Sequence, residues 1–247
     1  MKIFSVYNFK GGVGKTTNTV NLAYLSAMEG VRTVIWDLDP QGGTSFFLCV
    51  KPKVKGGAKA VLKGKVDLDP HLRMTGYPNL DLLPADISYR HLDQLLHDKN
   101  DPLKSFVRVL DALARDYDHV FLDCPPGLSI VAESVFRVSH VLVIPLLPST
   151  LSLRAYNKLV QFIASRRTPR LRVAPFFNQV SSGKPIHQVV MRKVLQEHPI
   201  FLRTTIPDSN AIEAMGIKRA PIFAYAPTSP ESDAYRALWQ EIKTKKL

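Results

Sequence analysis

The chain has 247 residues, 45% hydrophobic and 22% charged, with 33 basic against 21 acidic side chains and a net charge of +12. That length accommodates one large domain or two small ones and is ample for a real core, and that composition excludes a disordered tail, a collagen-like repeat and a low-complexity polymer. Two cysteines, Cys49 and Cys124, are too few for a disulfide framework or a four-cysteine metal site, so a reducing compartment is expected.

From the N-terminus, Met1-Lys2 leads straight into Ile-Phe-Ser-Val-Tyr, which predicts a strand at Ile3 to Tyr7 rather than a secretory leader, and a cytoplasmic location. A helix is predicted at Lys15 to Glu29 and a strand at Thr33 to Trp36. Lys51 to Lys65 follows, with Lys51, Lys53, Lys55, Lys59, Lys63 and Lys65 among glycines and no acid; it reads as a mobile or surface-bound segment, a solvated loop rather than a dedicated phosphate contact. Strands are then predicted at Leu80 to Leu83, His119 to Leu122, Val141 to Ile144, Val173 to Phe177 and Thr204 to Ile206. Helices are predicted at Asp101 to Arg115, Leu151 to Ser165, Lys184 to Gln196 and Pro230 to Lys243. The longest apolar run, Val141 to Leu147, is broken by Pro145 and falls well short of the roughly 20 residues that span a bilayer. Strand-length apolar runs alternating with helical patterns predict an α/β domain: a mostly parallel, twisted sheet with helices on both faces. No linker divides it, so residues 1–247 are expected to form one domain.

The most specific signal is Lys10-Gly11-Gly12-Val13-Gly14-Lys15-Thr16-Thr17, placed between the first strand and the first helix. Glycines let backbone N–H groups curl around phosphate oxygens, and the helix N-terminus offers its unpaired N–H groups and positive dipole end to the same anion. Lys15 is placed to reach the β and γ phosphates, and the Thr16 hydroxyl to ligate Mg²⁺. The usual G-x-x-x-x-G-K-[ST] pattern would require glycine at position 9, where this chain has Phe9, and the loop carries an additional lysine, Lys10. A hydrolysing loop also needs acids at neighbouring strand ends. Asp37 and Asp39 end the second strand, in Asp37-Leu38-Asp39-Pro40-Gln41-Gly42, and have little packing reason to stand there together. Asp123, in Phe121-Leu122-Asp123-Cys124-Pro125-Pro126-Gly127, has the position of a Walker B carboxylate. Cys124 reads as a small buried residue. The seven histidines show no ligand spacing.

In order and spacing, Lys10 to Thr17, Asp37 to Gly42 and Leu122 to Pro126 resemble the deviant Walker A, A′ and B motifs of the ParA/MinD P-loop ATPases, and within them the ParA and Soj partition proteins. The likeness reaches Ala226-Pro227-Thr228-Ser229-Pro230 ahead of the last helix. It implies ATP and Mg²⁺ as cofactors and an ATP-dependent sandwich homodimer in which Lys10 crosses to the partner's nucleotide. Lys15 would bind phosphates in its own subunit, Thr16 would hold Mg²⁺, Asp39 would orient the attacking water near the metal, and Asp123 would support the metal shell. Gly11, Gly12, Val13, Gly14 and Thr17 would complete the phosphate cradle, with Asn178, Pro207 and Asp208 near adenine. Hydrolysis would be slow alone and stimulated by a ParB-like or adaptor protein.

The same resemblance implies non-specific DNA binding by the ATP dimer, hence association with the nucleoid. Charge agrees: residues 151–247 hold 16 basic and 6 acidic side chains. Arg192, Lys193, Arg203, Lys218 and Arg219 are the candidates, with Arg170 and Arg172 behind them. Soj-like chains carry arginines where this one reads Asp208-Ser209-Asn210-Ala211, which displaces the expected DNA face toward Lys218-Arg219 or the lysine-rich segment. No helix-turn-helix precedes the first strand, so operator binding is not expected. The alternative is a MinD-like membrane-associated regulator, for which the tail from Ala237 to Leu247 would have to present Leu238, Trp239 and Ile242 to lipid. At helical spacing these three read instead as the packed face of the last helix, and DNA is favoured over membrane. An iron–sulfur carrier is disfavoured because no C-x-x-C is present.

Overall fold

A computed structural model of the protein describes residues 1–62, 68–98, 101–166, 168 and 171–245. In its first half β1 (Lys2–Val6), α1 (Lys15–Met28), β2 (Thr33–Asp37), α2 (Gly43–Phe47), α3 (Gly57–Leu62), β3 (Arg73–Met74), β4 (Leu80–Leu83), α4 (Leu92–His97) and α5 (Pro102–Leu113) follow one another. Then come β5 (His119–Asp123), α6 (Ile130–Val138), β6 (Val141–Leu146), α7 (Thr150–Ser165), β7 (Arg172–Phe177), α8 (Pro185–Glu197), α9 (Asn210–Glu213), α10 (Met215–Lys218) and α11 (Pro230–Thr244).

The strands form one sheet in the order β3-β4-β2-β5-β1-β6-β7, parallel throughout except for β3 against β4. Strands β2 and β6 are buried along their whole length, as the mostly apolar strands of a parallel sheet are when helices cover both faces. Alternation assigns each residue a face. Phe4 and Val6 point to α1 and α11, where Phe4 stacks on Phe121 at 4.9 Å and meets Trp239 at 5.3 Å. Ile3, Tyr7 and Trp36 point to the layer of α3 to α8, where Trp36 lies 5.1 Å from Phe106. Burying one such aromatic contributes about 1.5–3 kcal/mol, so the two clusters hold the helices to both faces. Helix starts follow from capping: Asp101, Ser129, Ser149 and Ser229 each accept a bond from the backbone N–H three residues on. The α/β expectation, with helices on both faces of a mostly parallel sheet, is met.

Two expectations change. Thr204 to Ile206 is not a strand: Gln179 takes a left-handed φ of 53° just beyond β7, and the segment keeps only isolated bonds to its neighbour, such as Ile206 N–H to the Phe177 carbonyl at 3.0 Å. The lysine-rich segment is not a free loop in its described part. Val54, Ala58, Val61 and Leu62 recur at helical spacing and are buried, while Lys51, Lys53, Lys55 and Lys59 stay exposed. Lys63, Lys65, Arg170, Lys246 and Leu247 lie outside the described residues.

Candidate functional site

Strand β1 stands between β5 and β6, so the chain leaves its carboxyl end where the direction of winding reverses, the usual position of a ligand crevice in an open α/β sheet. The loop after it is anchored to β6: Tyr7 N–H donates to the Val143 carbonyl at 3.0 Å, and the Asn8 amide to the Pro145 carbonyl at 2.7 Å. Gly12 (φ 73°) and Gly14 (φ 84°) take left-handed conformations. At Gly14 a Cβ would lie 2.4 Å from the Asn178 Nδ2 and displace that anchor, on a left-handed backbone that side chains other than glycine rarely adopt.

Side chains from outside the loop tie back its carbonyls. Gln179 donates to the Gly12 carbonyl at 3.0 Å, Asn178 to that of Val13 at 2.8 Å, and Asn18 to that of Gly14 at 2.7 Å. In a trans peptide the N–H points opposite to the C=O, so the N–H groups of Val13, Gly14 and Lys15 turn away from those anchors, in the manner of an anion nest. Lys15 is only 7% exposed, and its ammonium donates to the Lys10 carbonyl at 3.0 Å. Burial lowers its pKa, and the charges of Asp123 and Asp39 oppose that shift.

Two carboxylates lie in register at the ends of β2 and β5, Asp37 opposite Asp123, both fully buried. Asp123 accepts from the Thr44 hydroxyl at 2.8 Å, with Thr19 at 3.4 Å and Thr16 as further partners. Asp37 accepts on one oxygen from the Ser45 N–H at 2.9 Å and hydroxyl at 2.8 Å. Burial raises both acids' pKa values; Asp123 adds to the rise at Asp37, and the hydroxyls of Thr44 and Thr16 oppose the rise at Asp123. Asp37 therefore does have a packing reason to stand there: it holds the first turn of α2. Asp39 is half-buried in a turn of its own, accepting from Gln41 N–H through Oδ1 and from Gly42 N–H through its carbonyl, both at 2.9 Å. Gly43 lets α2 approach Thr16, since a Cβ there would come 3.0 Å from its Cγ2.

The structure thus brings Lys10, Gly11, Gly12, Val13, Gly14, Lys15, Thr16, Thr17 and Asp123 to one strand-end crevice, with Asn178 as a loop anchor and Asp39 within electrostatic range. Pro207 and Asp208 run beside Val180, just past Asn178. Thr44, Ser45 and Gly43 carry no signal in the sequence: a Gly-Thr-Ser run looks like an ordinary turn until strand register places it over two acids. Cys124 is buried, and burial pushes its thiol pKa well up.

The basic candidates do not converge. Arg192 and Lys193 lie on α8, in the α3 to α8 layer, whereas Lys218 ends α10 and Arg219 caps it, and α10 buries Met215 on the opposite face. All four are exposed, as is Arg203. Arg172 is a structural residue: its guanidinium donates to the carbonyls of Lys245 and Ile242, closing the end of α11. Arg219 stacks 4.7 Å above the Phe46 ring and donates to the Phe46 carbonyl at 3.1 Å, joining α10 to α2. In α11, Leu238, Trp239 and Ile242 are buried, as their spacing predicted, and no described helix is long and apolar enough to cross a membrane.

Fold and crevice together define a P-loop domain of the lysine-signature type. The AAA domain family (AAA_31) matches residues 1–172, and the chain belongs to that family as a P-loop ATPase of the ParA/MinD group. It is 27% identical over 250 residues to the sporulation initiation inhibitor protein Soj of Bacillus subtilis, covering 98% of each chain. Among solved structures it is similar to cobyrinic acid a,c-diamide synthase from Mycobacterium smegmatis with bound ATP analog and magnesium, with a TM-score of 0.84, 26% identity and coverage of 98% and 94%. The McdA–ATP complex from Cyanothece shares the fold, with a TM-score of 0.84 at 18% identity over 100% of this chain and 98% of that one.

Proposed function

We propose that this protein is a Mg²⁺-dependent ATP hydrolase that forms a sandwich dimer on ATP, binds DNA without sequence preference, and segregates or positions a chromosome, plasmid or protein assembly. The observation that carries this reading is the loop from Lys10 to Thr17, its carbonyls tied outward and its base lined by Lys15 and Asp123.

The N–H groups of Val13, Gly14 and Lys15 and the first turn of α1 bind the β and γ phosphates, with the Lys15 ammonium between them. The Thr16 hydroxyl and the Asp123 carboxylate hold the metal and its water. A Mg²⁺ held there would supply charge neutralisation at the phosphoryl group being transferred. Asp39 orients the attacking water, and Lys10 reaches the nucleotide of the second copy, adding a cation where charge develops in the transition state. Asn178 Oδ1, buried with no partner among the described residues, suits the amino group of adenine, beside Pro207 and Asp208. All of this lies within one domain.

With a single such cation from the partner copy, turnover by the isolated protein is slow, and a ParB-like or adaptor protein accelerates it. On this reading the basic surface supplies the phosphate contacts and the protein works in the cytoplasm, on the nucleoid. The test is ATP turnover with and without Mg²⁺, alongside DNA retardation and vesicle flotation with ATP. Mg²⁺-dependent turnover with ATP-dependent DNA retardation supports the reading; lipid flotation without DNA retardation replaces it with a membrane regulator.

A further inference from the structure

The first turn of α2 touches both buried acids at once. Thr44 donates its hydroxyl to Oδ2 of Asp123 at 2.8 Å, and the next residue, Ser45, holds Asp37 through its N–H and hydroxyl. The Thr19 contact to the other Asp123 oxygen, Oδ1, is much longer. Thr19 lies 3.4 Å from it but 3.0 Å from the Lys15 carbonyl, and one hydroxyl proton cannot serve both. Thr44 therefore holds one oxygen of a fully buried carboxylate by a short bond, and the carboxylate's remaining partners are the hydroxyls of Thr19 and of Thr16, the latter the side chain assigned to the metal. Thr44 does so from a helix whose first residue, Gly43, lies against Thr16. The turn from Asp39 to Gly42 runs straight into the same helix.

We propose that Thr44 is a positioning residue for the magnesium shell of the bound nucleotide, fixing the Asp123 carboxylate so that Oδ1 serves the metal and its water alongside Thr16. The proposal rests on the assignment of Asp123 to the metal shell made above. Partners that orient a ligating carboxylate typically account for 10–100-fold in metal affinity. Thr44 acts through Asp123 and is not itself a catalytic residue.

The test uses the full chain and Mn²⁺ as the probe, with free Mn²⁺ followed by its EPR signal in the presence of a non-hydrolysable ATP analogue. Affinity for a fluorescent ATP is measured in parallel in EDTA. Thr44→Val keeps the shape and removes the hydroxyl; Thr44→Ser keeps the hydroxyl. Thr44→Val weakens Mn²⁺ binding about 10-fold or more with unchanged nucleotide affinity in EDTA, and Thr44→Ser stays within about two-fold of the parent protein. Wild-type Mn²⁺ affinity in Thr44→Val overturns the proposal while leaving the ATPase reading intact. Equal loss in Thr44→Ser also overturns it, as does loss of EDTA-resistant nucleotide binding in Thr44→Val, because the residue would then serve packing. A parent protein that takes up no Mn²⁺ with nucleotide overturns both this proposal and the reading beneath it.

Discussion

The Lys15 ammonium donates to the backbone carbonyl of Lys10 at 3.0 Å, so one lysine of the phosphate loop holds the backbone of the other. A nearly buried ammonium is costly unless paired, and here a carbonyl and the charges of Asp123 and Asp39 keep it in place. Lys15→Gln keeps a donor of similar reach and removes the charge. It is expected to weaken ATP binding at least about 100-fold, since hydrogen bonds to ionised groups contribute about 1.5–3 kcal/mol each and several are lost. Titration with a fluorescent nucleotide measures this, and a melting temperature close to that of the parent shows that the loop still folds.

Asp39 lies in a turn of its own at the loop's edge and carries no strand or helix. Asp39→Ala is expected to leave ATP binding within a few-fold and to reduce turnover by about 10²–10⁴, the usual range for a group that handles the nucleophile's proton. Phosphate release under saturating ATP checks it, and unchanged turnover removes Asp39 from the chemistry.

Asp86 accepts from Val54 N–H, Ser88 N–H and the Ser88 hydroxyl, joining the lysine-rich segment to the short 3₁₀ turn Ile87–His91. The bonds with Ser88 and Val54 outweigh burial and hold its pKa below the ordinary 3.8. An acid with a depressed folded-state pKa contributes stability above its unfolded-state value and loses it as pH falls through the folded one. Asp86→Asn turns an amide donor toward these donors, so it is expected to cost about 1–3 kcal/mol at pH 7. The difference from the parent should shrink as pH falls below 3.8, which thermal unfolding across that range detects.

Lys218 and Arg219 lie on the opposite face of the sheet from Arg192 and Lys193, so paired charge reversals separate the two surfaces. Lys218→Glu with Arg219→Glu is expected to weaken DNA binding equally on unrelated sequences and to flatten the slope of log affinity against log salt by about one per lost phosphate contact. Retardation assays at several salt concentrations measure both effects. Loss confined to the Arg192→Glu, Lys193→Glu pair would move the DNA face to α8.

What could be read from the sequence follows physical rules. Strands β2 and β6 are legible because they are buried on both faces and so read as short, mostly apolar runs without polar alternation. The phosphate loop was legible because its chemistry is local, with glycines, lysine and threonine adjacent in the chain. The clamp on Asp123 was not, because Thr44 lies 79 residues away in sequence and meets it only through the pairing of β2 with β5. The helix at Gly57–Leu62 was hidden by its own composition, exposed lysines masking the stripe of Val54, Ala58, Val61 and Leu62. A strand was wrongly expected at Thr204 to Ile206 because its β-branched residues fit one, while the left-handed Gln179 ended the neighbouring strand before a ladder could extend.

Lys10 makes the most exacting demand on the account. Its backbone is pinned on both sides, the N–H by Asn8 Oδ1 at 3.0 Å and the carbonyl by Lys15, and its side chain is partly exposed at the rim of the loop. The direct measurement is sedimentation of the parent and Lys10→Ala proteins, each saturated with a non-hydrolysable ATP analogue. If Lys10 crosses to the second nucleotide, the parent sediments as a dimer and the variant as a nucleotide-bound monomer; a variant that dimerises like the parent, or a parent that stays monomeric, contradicts that role.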